Sequence, residues 1–364
     1  MKRTLLLTHE YYPFRGGIAR YCYQLFRRLP TSQYVVLTDQ KESVPAHPVI
    51  RKKLLSSYVR PSWLTGVRTL QKIVNEHKIE MIMTPNLLPL GSMVYALNKI
   101  KKIPYVISLH GLDINLALKN KRRAAISVLN GAAHCITNSE TTASILAPLK
   151  LRTPVTILTP YFEEEKFSHA DHAASPAAQR YAGSKLVITV GRLTRRKGQD
   201  MVIRAFPEVL RSVPNARYVI IGDGPDRSYF EGLIQNLKMQ KYIEIRTNVA
   251  DSELGGYYTA ASLFAMPTRA IGADIEGFGI VFLEAAYFSL PIIAGRSGCE
   301  REALGGEPNA LFVDGENLGA LTESIIHLLV DAELAGFVGS HAKKHLETLP
   351  NWDMQARRLA QVLS

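Results

Sequence analysis

Two carboxylates eight residues apart, Glu276 and Glu284, point most directly to chemistry in this chain. They bracket Gly277-Phe278-Gly279-Ile280-Val281-Phe282-Leu283. The first acid therefore precedes a glycine-bracketed turn, and the second lies about two turns into the helix that follows. Such a turn leaves successive backbone N–H groups unpaired at a helix N-terminus, a ready site for a polar or anionic ligand. Flanking acids accept hydrogen bonds from hydroxyls, as a sugar or a ribose offers them. The combination suggests a nucleotide-sugar site.

Basic residues of the right kind stand upstream, in Gly191-Arg192-Leu193-Thr194-Arg195-Arg196-Lys197-Gly198. Arg192 offers a planar fork and Lys197 a point charge, at the carboxyl end of an apolar strand where open α/β sheets bind ligands. A clamp for a diphosphate and a solvated basic loop both fit. Near the N-terminus, Pro13-Phe14-Arg15-Gly16-Gly17-Ile18 joins a strand to a helix. It reads as a phosphate nest or as a tight turn, and it is not the G-x-G-x-x-G fingerprint of dinucleotide sites. His110-Gly111-Leu112-Asp113 also follows a strand, where the histidine is either structural or an imidazole presented to a cleft. Gly222-Asp223-Gly224-Pro225 reads as a turn, or as support beside a ligand. The chain holds no D-x-D triplet, P-loop or zincin helix, so the expected site is metal-free, with Arg192 and Lys197 as counter-charges.

The elements that must position these residues alternate from end to end. Strands are expected at Thr4–Thr8, Val35–Thr38, Glu80–Thr84, Tyr105–Leu109, His134–Asn138 and Val155–Leu158. The series restarts at Leu186–Val190, Tyr218–Ile221, Ile243–Arg246, Leu263–Met266, Ile292–Ala294 and Leu311–Val313. Helical spacing falls between them, at Ile18–Leu29, Gln199–Ser212, Asp226–Lys238 and Asn317–Val330, with a last short helix at Trp352–Leu363. Apolar strands alternating with helices imply parallel sheets covered on both faces. The pattern breaks over residues 159–185, through Glu163-Glu164-Glu165 and the small residues Ala170–Ala178. The expected fold is α/β, two Rossmann-like domains facing each other across a cleft. Residues 1–165 form the first, joined by the terminal helix 350–364, and residues 166–349 form the second.

Length and composition agree: 364 residues with 46% hydrophobic content bury two cores of ordinary size. No apolar run reaches the roughly 18 residues of a membrane span, and Met1–Glu10 reads as a buried strand rather than a signal peptide. Cys22, Cys135 and Cys299 form no metal spacing, as expected of a reducing cytoplasm. The net charge of +12 is uneven. Residues 1–155 carry 23 Lys and Arg against 7 Asp and Glu, the remainder 21 against 25. One half is thus built to meet an anionic surface or partner.

Taken in order, these segments resemble the retaining family 4 glycosyltransferases of the GT-B fold. The ordered set is Gly16-Gly17, His110-Gly111-x-Asp113, Gly191-Arg192-Leu193 with Lys197-Gly198, Gly222-Asp223-Gly224-Pro225, and Glu276 with Glu284. Ala273-Asp274-Ile275-Glu276-Gly277-Phe278-Gly279-Ile280-Val281 and Ala294-Gly295-Arg296-Ser297-Gly298 are most similar to bacterial phosphatidylinositol-mannoside mannosyltransferases. The resemblance implies that Arg192 and Lys197 hold the donor diphosphate beneath the Gly16-Gly17 backbone. It implies that Glu284 binds the ribose, and that Glu276 with the backbone of Phe278, Gly279 and Ile280 holds the transferred sugar. His110 would lie against that sugar, and base recognition would fall to Arg246–Val249, with Val249 in the donor site. The implied catalytic set is His110, Glu276, Arg192 and Lys197. The implied reaction retains configuration, with the leaving phosphate deprotonating the acceptor and no cofactor beyond the nucleotide-sugar co-substrate. The sequence departs from the family at Thr159-Pro160-Tyr161-Phe162-Glu163, at Thr247, and at Cys299 and Arg301.

In that family the N-terminal half meets the acceptor, so its basic clusters gain meaning: Arg51-Lys52-Lys53, Lys99 with Lys101-Lys102, and Lys119 with Lys121-Arg122-Arg123. Arg51–Arg60 interleaves Leu54, Leu55, Tyr58 and Val59, a composition suited to a membrane surface. The expected partners are a nucleotide-sugar, GDP-mannose favoured over a UDP-sugar, a lipid-linked or glycan acceptor, and an anionic membrane surface. The enzyme would be peripheral at the inner face of the cell membrane, working in cell-envelope glycan synthesis. Alternatives are a UDP-sugar-dependent transferase with a soluble acceptor and a non-catalytic sugar-nucleotide binder. Nucleic acid is not an expected partner, because no RRM, helix-turn-helix or aromatic stacking platform accompanies the charge.

Overall fold

The computed structural model describes residues 1–14, 16–40, 47–167, 172–272 and 274–364. Arg15 of the glycine loop, Ala273 of the acidic loop and residues 168–171 of the expected seam lie outside the described residues.

The chain divides into two compact units, Met1–Pro160 with Pro350–Ser364, and Tyr161–Leu349. In the first, β1 (Thr4–Leu7), β2 (Tyr34–Thr38), β3 (Val49–Arg51), β4 (Met81–Thr84), β5 (Tyr105–Leu109), β6 (His134–Thr137) and β7 (Val155–Ile157) form one parallel sheet in the order 3-2-1-4-5-6-7. In the second, β8 (Lys185–Val190), β9 (Ala216–Ile221), β10 (Ile243–Arg246), β11 (Leu263–Met266), β12 (Ile292–Ala294) and β13 (Leu311–Phe312) form another, in the order 10-9-8-11-12-13. Both are doubly wound Rossmann-like sheets, as the alternating pattern predicts.

The apolar runs explain the register. Thr4 to Leu7 are all buried, pairing Leu5 with Val35 on one side and Ile82 on the other. Each such leucine taken out of water contributes about 1.5–3 kcal/mol. The strand order reverses between β1 and β4, and again between β8 and β11. Those two switch points are where open α/β sheets bind ligands.

The last helix, Trp352–Val362, belongs to the first unit. Lys2 N donates to Leu363 O at 2.9 Å, Arg28 pairs with Asp353 at 2.9 Å, and Gln355 Nε2 donates to Thr159 Oγ1 at 2.7 Å. Two expectations need correction. Val49–Arg51 is a strand that the sequence reading did not place. Leu54, read as part of a surface segment, is buried among Val67, Leu70 and Met93. Tyr58 is the aromatic of that segment that faces solvent, 95% exposed. All three cysteines are buried and free, and among the described residues no helix is long and apolar enough to cross a membrane.

Candidate donor site

The second unit gathers its charged residues at the switch point beside β8 and β11. After β8 the chain passes through Gly191 at φ +145, where a side chain would be strained. A Cβ there would also lie 3.3 Å from the end of the Lys197 side chain. Glycine thus lets the lysine fold back over the loop. Gly198, at φ +79, closes the following turn, and a Cβ on it would collide with the Pro267 carbonyl at 2.2 Å. The turn is therefore pressed against the segment that leaves β11. Arg269 fastens the two, its amide donating to Arg196 O at 2.8 Å and its guanidinium gripping both oxygens of Asp200 at 3.0 and 2.7 Å.

This arrangement delivers Lys197 Nζ to within 3.0 Å of Glu276 Oε2. Arg196 Nη1 donates to the same oxygen at 2.6 Å. Burial alone would push the Glu276 carboxyl up, but Lys197 and then Arg196 outweigh it and hold the group at about 2. Glu276 Oε1 has no hydrogen bond from the described residues, so it is the oxygen open to a hydroxyl donor. Arg192 is exposed, and no described residue bonds its guanidinium, although Gln199 Nε2 donates to its carbonyl at 3.1 Å. Arg195 turns elsewhere, stacking over the Tyr229 ring at 5.4 Å.

Phe278 is buried in the core, so it offers only its backbone to a ligand. Gly279 caps the helix Ile280–Tyr287, whose N-terminus supplies the unpaired N–H groups expected from sequence. Glu284 sits on this helix, 6% exposed, and accepts from Tyr258 Oη at 2.7 Å. Val249 is half-buried against the same core. Arg246 is engaged with Glu244 at 3.0 Å, and Glu244 also accepts from Tyr181.

Four supporting residues escaped the sequence reading: Arg196, Tyr258, Cys299 and Glu300. Cys299, noted only as a departure, donates its thiol to the Glu276 carbonyl at 3.3 Å. Glu300 is fully buried, receiving Gly298 N at 2.6 Å and the hydroxyls of Ser297 and Thr268. The available clue was the run of three bases, which does not tell which side chain turns inward.

In the first unit, Gly16 and Gly17 open the helix Gly17–Phe26. A Cβ at Gly17 would meet nothing within 4 Å, so a ligand can approach its backbone. His110 follows β5, its ring edge-on to Tyr21 at 5.1 Å and its Nε2 at 3.2 Å from Ser108 Oγ. Burial lowers this imidazole to about 4, leaving it neutral at ordinary pH. Asp113 does not orient the ring. It accepts the His110 backbone N–H at 3.1 Å, and burial pushes its own carboxyl up to about 6.

Comparison with known proteins gives the family and the fold. Residues 15–164 match the family model "Glycosyltransferase Family 4", and residues 172–345 match "Glycosyl transferases group 1". The chain is 28% identical to the GDP-mannose-dependent alpha-(1-6)-phosphatidylinositol monomannoside mannosyltransferase of Mycobacterium tuberculosis, over 100% of this chain and 98% of that protein. It is 25% identical, with the same coverage, to the GDP-mannose-dependent monoacylated alpha-(1-6)-phosphatidylinositol monomannoside mannosyltransferase of Corynebacterium glutamicum. Among solved structures, HepE of Anabaena in complex with UDP superposes with a TM-score of 0.82 at 19% identity, covering 100% of this chain and 99% of that one. The chain is a glycosyltransferase of the GT-B fold, a family 4 domain followed by a group 1 domain.

Proposed function

We propose that this glycosyltransferase is retaining and metal-independent. It moves a hexose from a nucleotide-diphospho-sugar, GDP-mannose by preference, to a membrane-associated glycolipid or lipid-linked glycan in cell-envelope glycan synthesis. The observation that carries the reading is Lys197 Nζ and Arg196 Nη1 meeting on Glu276 Oε2 beside an open helix N-terminus, with the exposed Arg192 at the start of the same loop. Arg192 and Lys197 supply the positive charge that a departing diphosphate needs, which is where electrostatic catalysis has most leverage. Glu276 Oε1 accepts from a hydroxyl of the transferred sugar and lends negative charge to an oxocarbenium-like ring. The leaving phosphate takes the acceptor proton on the face of departure. Glu284, steadied by Tyr258, receives the ribose hydroxyls.

The full-length mannosyltransferase relatives favour GDP-mannose and a phosphoinositide-type acceptor. An anionic acceptor also suits the basic first unit. A cavity of about 530 Å³ there is lined by Asp39, Gln40, Arg51, Lys52 and Lys53, and Tyr58 of the same segment is exposed. Cations beside an anionic leaflet contribute on the order of 1 kcal/mol each, so this face supports reversible docking at the cytoplasmic side.

A thermal-shift panel of GDP, UDP, ADP and their sugars, with chelator present, tests the donor site on wild type and Arg192→Ala. The Arg192 guanidinium bonds no described residue, so the variant keeps its fold. A ligand at 100 times its dissociation constant stabilises by about 2.7 kcal/mol. The reading expects GDP and GDP-mannose to shift wild type, and the shift to fall in the variant. No response to any nucleotide contradicts it.

A further inference from the structure

Glu276 has a closer partner than the lysine assigned to the diphosphate. Arg196 reaches its Oε2 at 2.6 Å against 3.0 Å for Lys197, and its side chain is 14% exposed. The guanidinium also has a second acid beside it, Asp274, whose Oδ1 lies 3.2 Å from Nε as an ion pair without hydrogen-bond geometry. Its backbone is tied to the segment after β11 through Arg269. Lys197 is held less firmly, by Glu276 and by the Met266 sulfur at 3.7 Å. The two cations share one carboxylate oxygen but differ in kind. One is a planar fork fixed between two acids, the other a point charge on a flexible stem that lies along Gly191.

That difference matters once a diphosphate competes for the lysine. A lysine that was the sole partner of Glu276 could turn to the phosphate only by leaving a buried carboxylate unpaired, which is strongly unfavourable. We propose that Arg196 is the positioning residue of the donor site, the standing partner of Glu276 that frees Lys197 to move from the carboxylate to the donor diphosphate. The inference rests on the donor-site reading above and adds a division of labour to it. Arg196 touches neither phosphate nor sugar. It keeps Glu276 charged and in place, with Oε1 turned to the sugar.

A double-mutant cycle read by calorimetric titration with GDP and UDP tests this without needing an acceptor. Wild type, Arg196→Gln, Glu276→Gln and the double variant are compared, with Arg196→Lys as a charge-keeping control and melting temperatures as a check of folding. Directly paired groups couple strongly enough to expect about a tenfold loss of nucleotide affinity in Arg196→Gln. In the Glu276→Gln background, where Lys197 has no carboxylate to leave, the same change should alter affinity by less than about twofold. Arg196→Lys should fall between wild type and Arg196→Gln. Equal losses in both backgrounds would mean that Arg196 binds phosphate itself or merely supports the fold, and no loss in either would mean that it does not free the lysine. Both results overturn the proposal while leaving the donor site standing. A wild-type protein that binds neither nucleotide removes the donor-site reading and this inference with it.

Discussion

Glu276→Gln is expected to change stability in a way that depends on pH. Glutamine keeps an oxygen to accept from Arg196 and Lys197 and removes only the charge. In the folded chain the Glu276 carboxyl lies at about 2 rather than 4.5. A difference of roughly 2.5 units, at about 1.36 kcal/mol per unit, is worth about 3 kcal/mol at most. Because the folded value is the lower one, the contribution is complete above pH 4.5 and fades as the pH falls toward 2. Urea unfolding should therefore place the variant about 3 kcal/mol below wild type at pH 7. The gap should narrow to about half by pH 3. Far-UV circular dichroism is the suitable probe, because both tryptophans, Trp63 and Trp352, lie in the other unit and do not report on this site. A gap that stays constant from pH 7 to pH 3, or widens in acid, refutes the argument.

Three other outcomes are expected. Tyr258→Phe removes the hydroxyl that donates to buried Glu284 and should lower unfolding free energy by about 1–3 kcal/mol, read by urea denaturation. Asp113→Asn keeps an acceptor for the His110 amide while removing a carboxylate that burial holds at about 6. It should stabilise the protein above pH 6, and melting curves from pH 8 down to 4 should show that gain shrinking, since the penalty on the wild-type acid disappears as it protonates. Gly198→Ala puts a methyl 2.2 Å from the Pro267 carbonyl at positive φ. It should cost about 1–3 kcal/mol, seen as a lower melting temperature, and should weaken nucleotide binding by displacing Lys197.

Much of this molecule is legible in its sequence where local pattern and tertiary outcome agree. The helix Gln199–Ser212 has the expected bounds because its apolar face repeats at helical spacing behind Gly198. The long apolar runs found their strands for the same reason. Val49–Arg51 was missed because it is three residues long, incompletely buried and ends on a base, which leaves no alternation to read. Leu54 misled in the other direction. Its neighbours are basic, but residues distant in sequence cover it, and one-dimensional pattern carries no record of that cover.

The candidate site divides in the same way. Arg192, Lys197, Glu276 and Glu284 could be chosen from residue type beside glycine turns. Which of Arg195 and Arg196 turns inward depends on Tyr229 and Glu276, each brought in from another part of the chain. Asp113 stands three residues after His110, and that spacing does not tell whether its carboxyl meets the ring or the backbone. The helix start claimed it, since an acid in the first turn readily accepts a backbone N–H.

The most direct test of the account is transfer itself. Purified protein would be incubated in chelator with radiolabelled GDP-mannose and, in parallel, UDP-glucose, with vesicles of a phosphoinositide-type glycolipid as acceptor. The account predicts label in the lipid fraction from GDP-mannose, in α linkage, and its loss in Glu276→Gln and Arg192→Ala. Lipid labelling from UDP-glucose alone would contradict the donor assignment. Labelling that survives both substitutions would contradict the site.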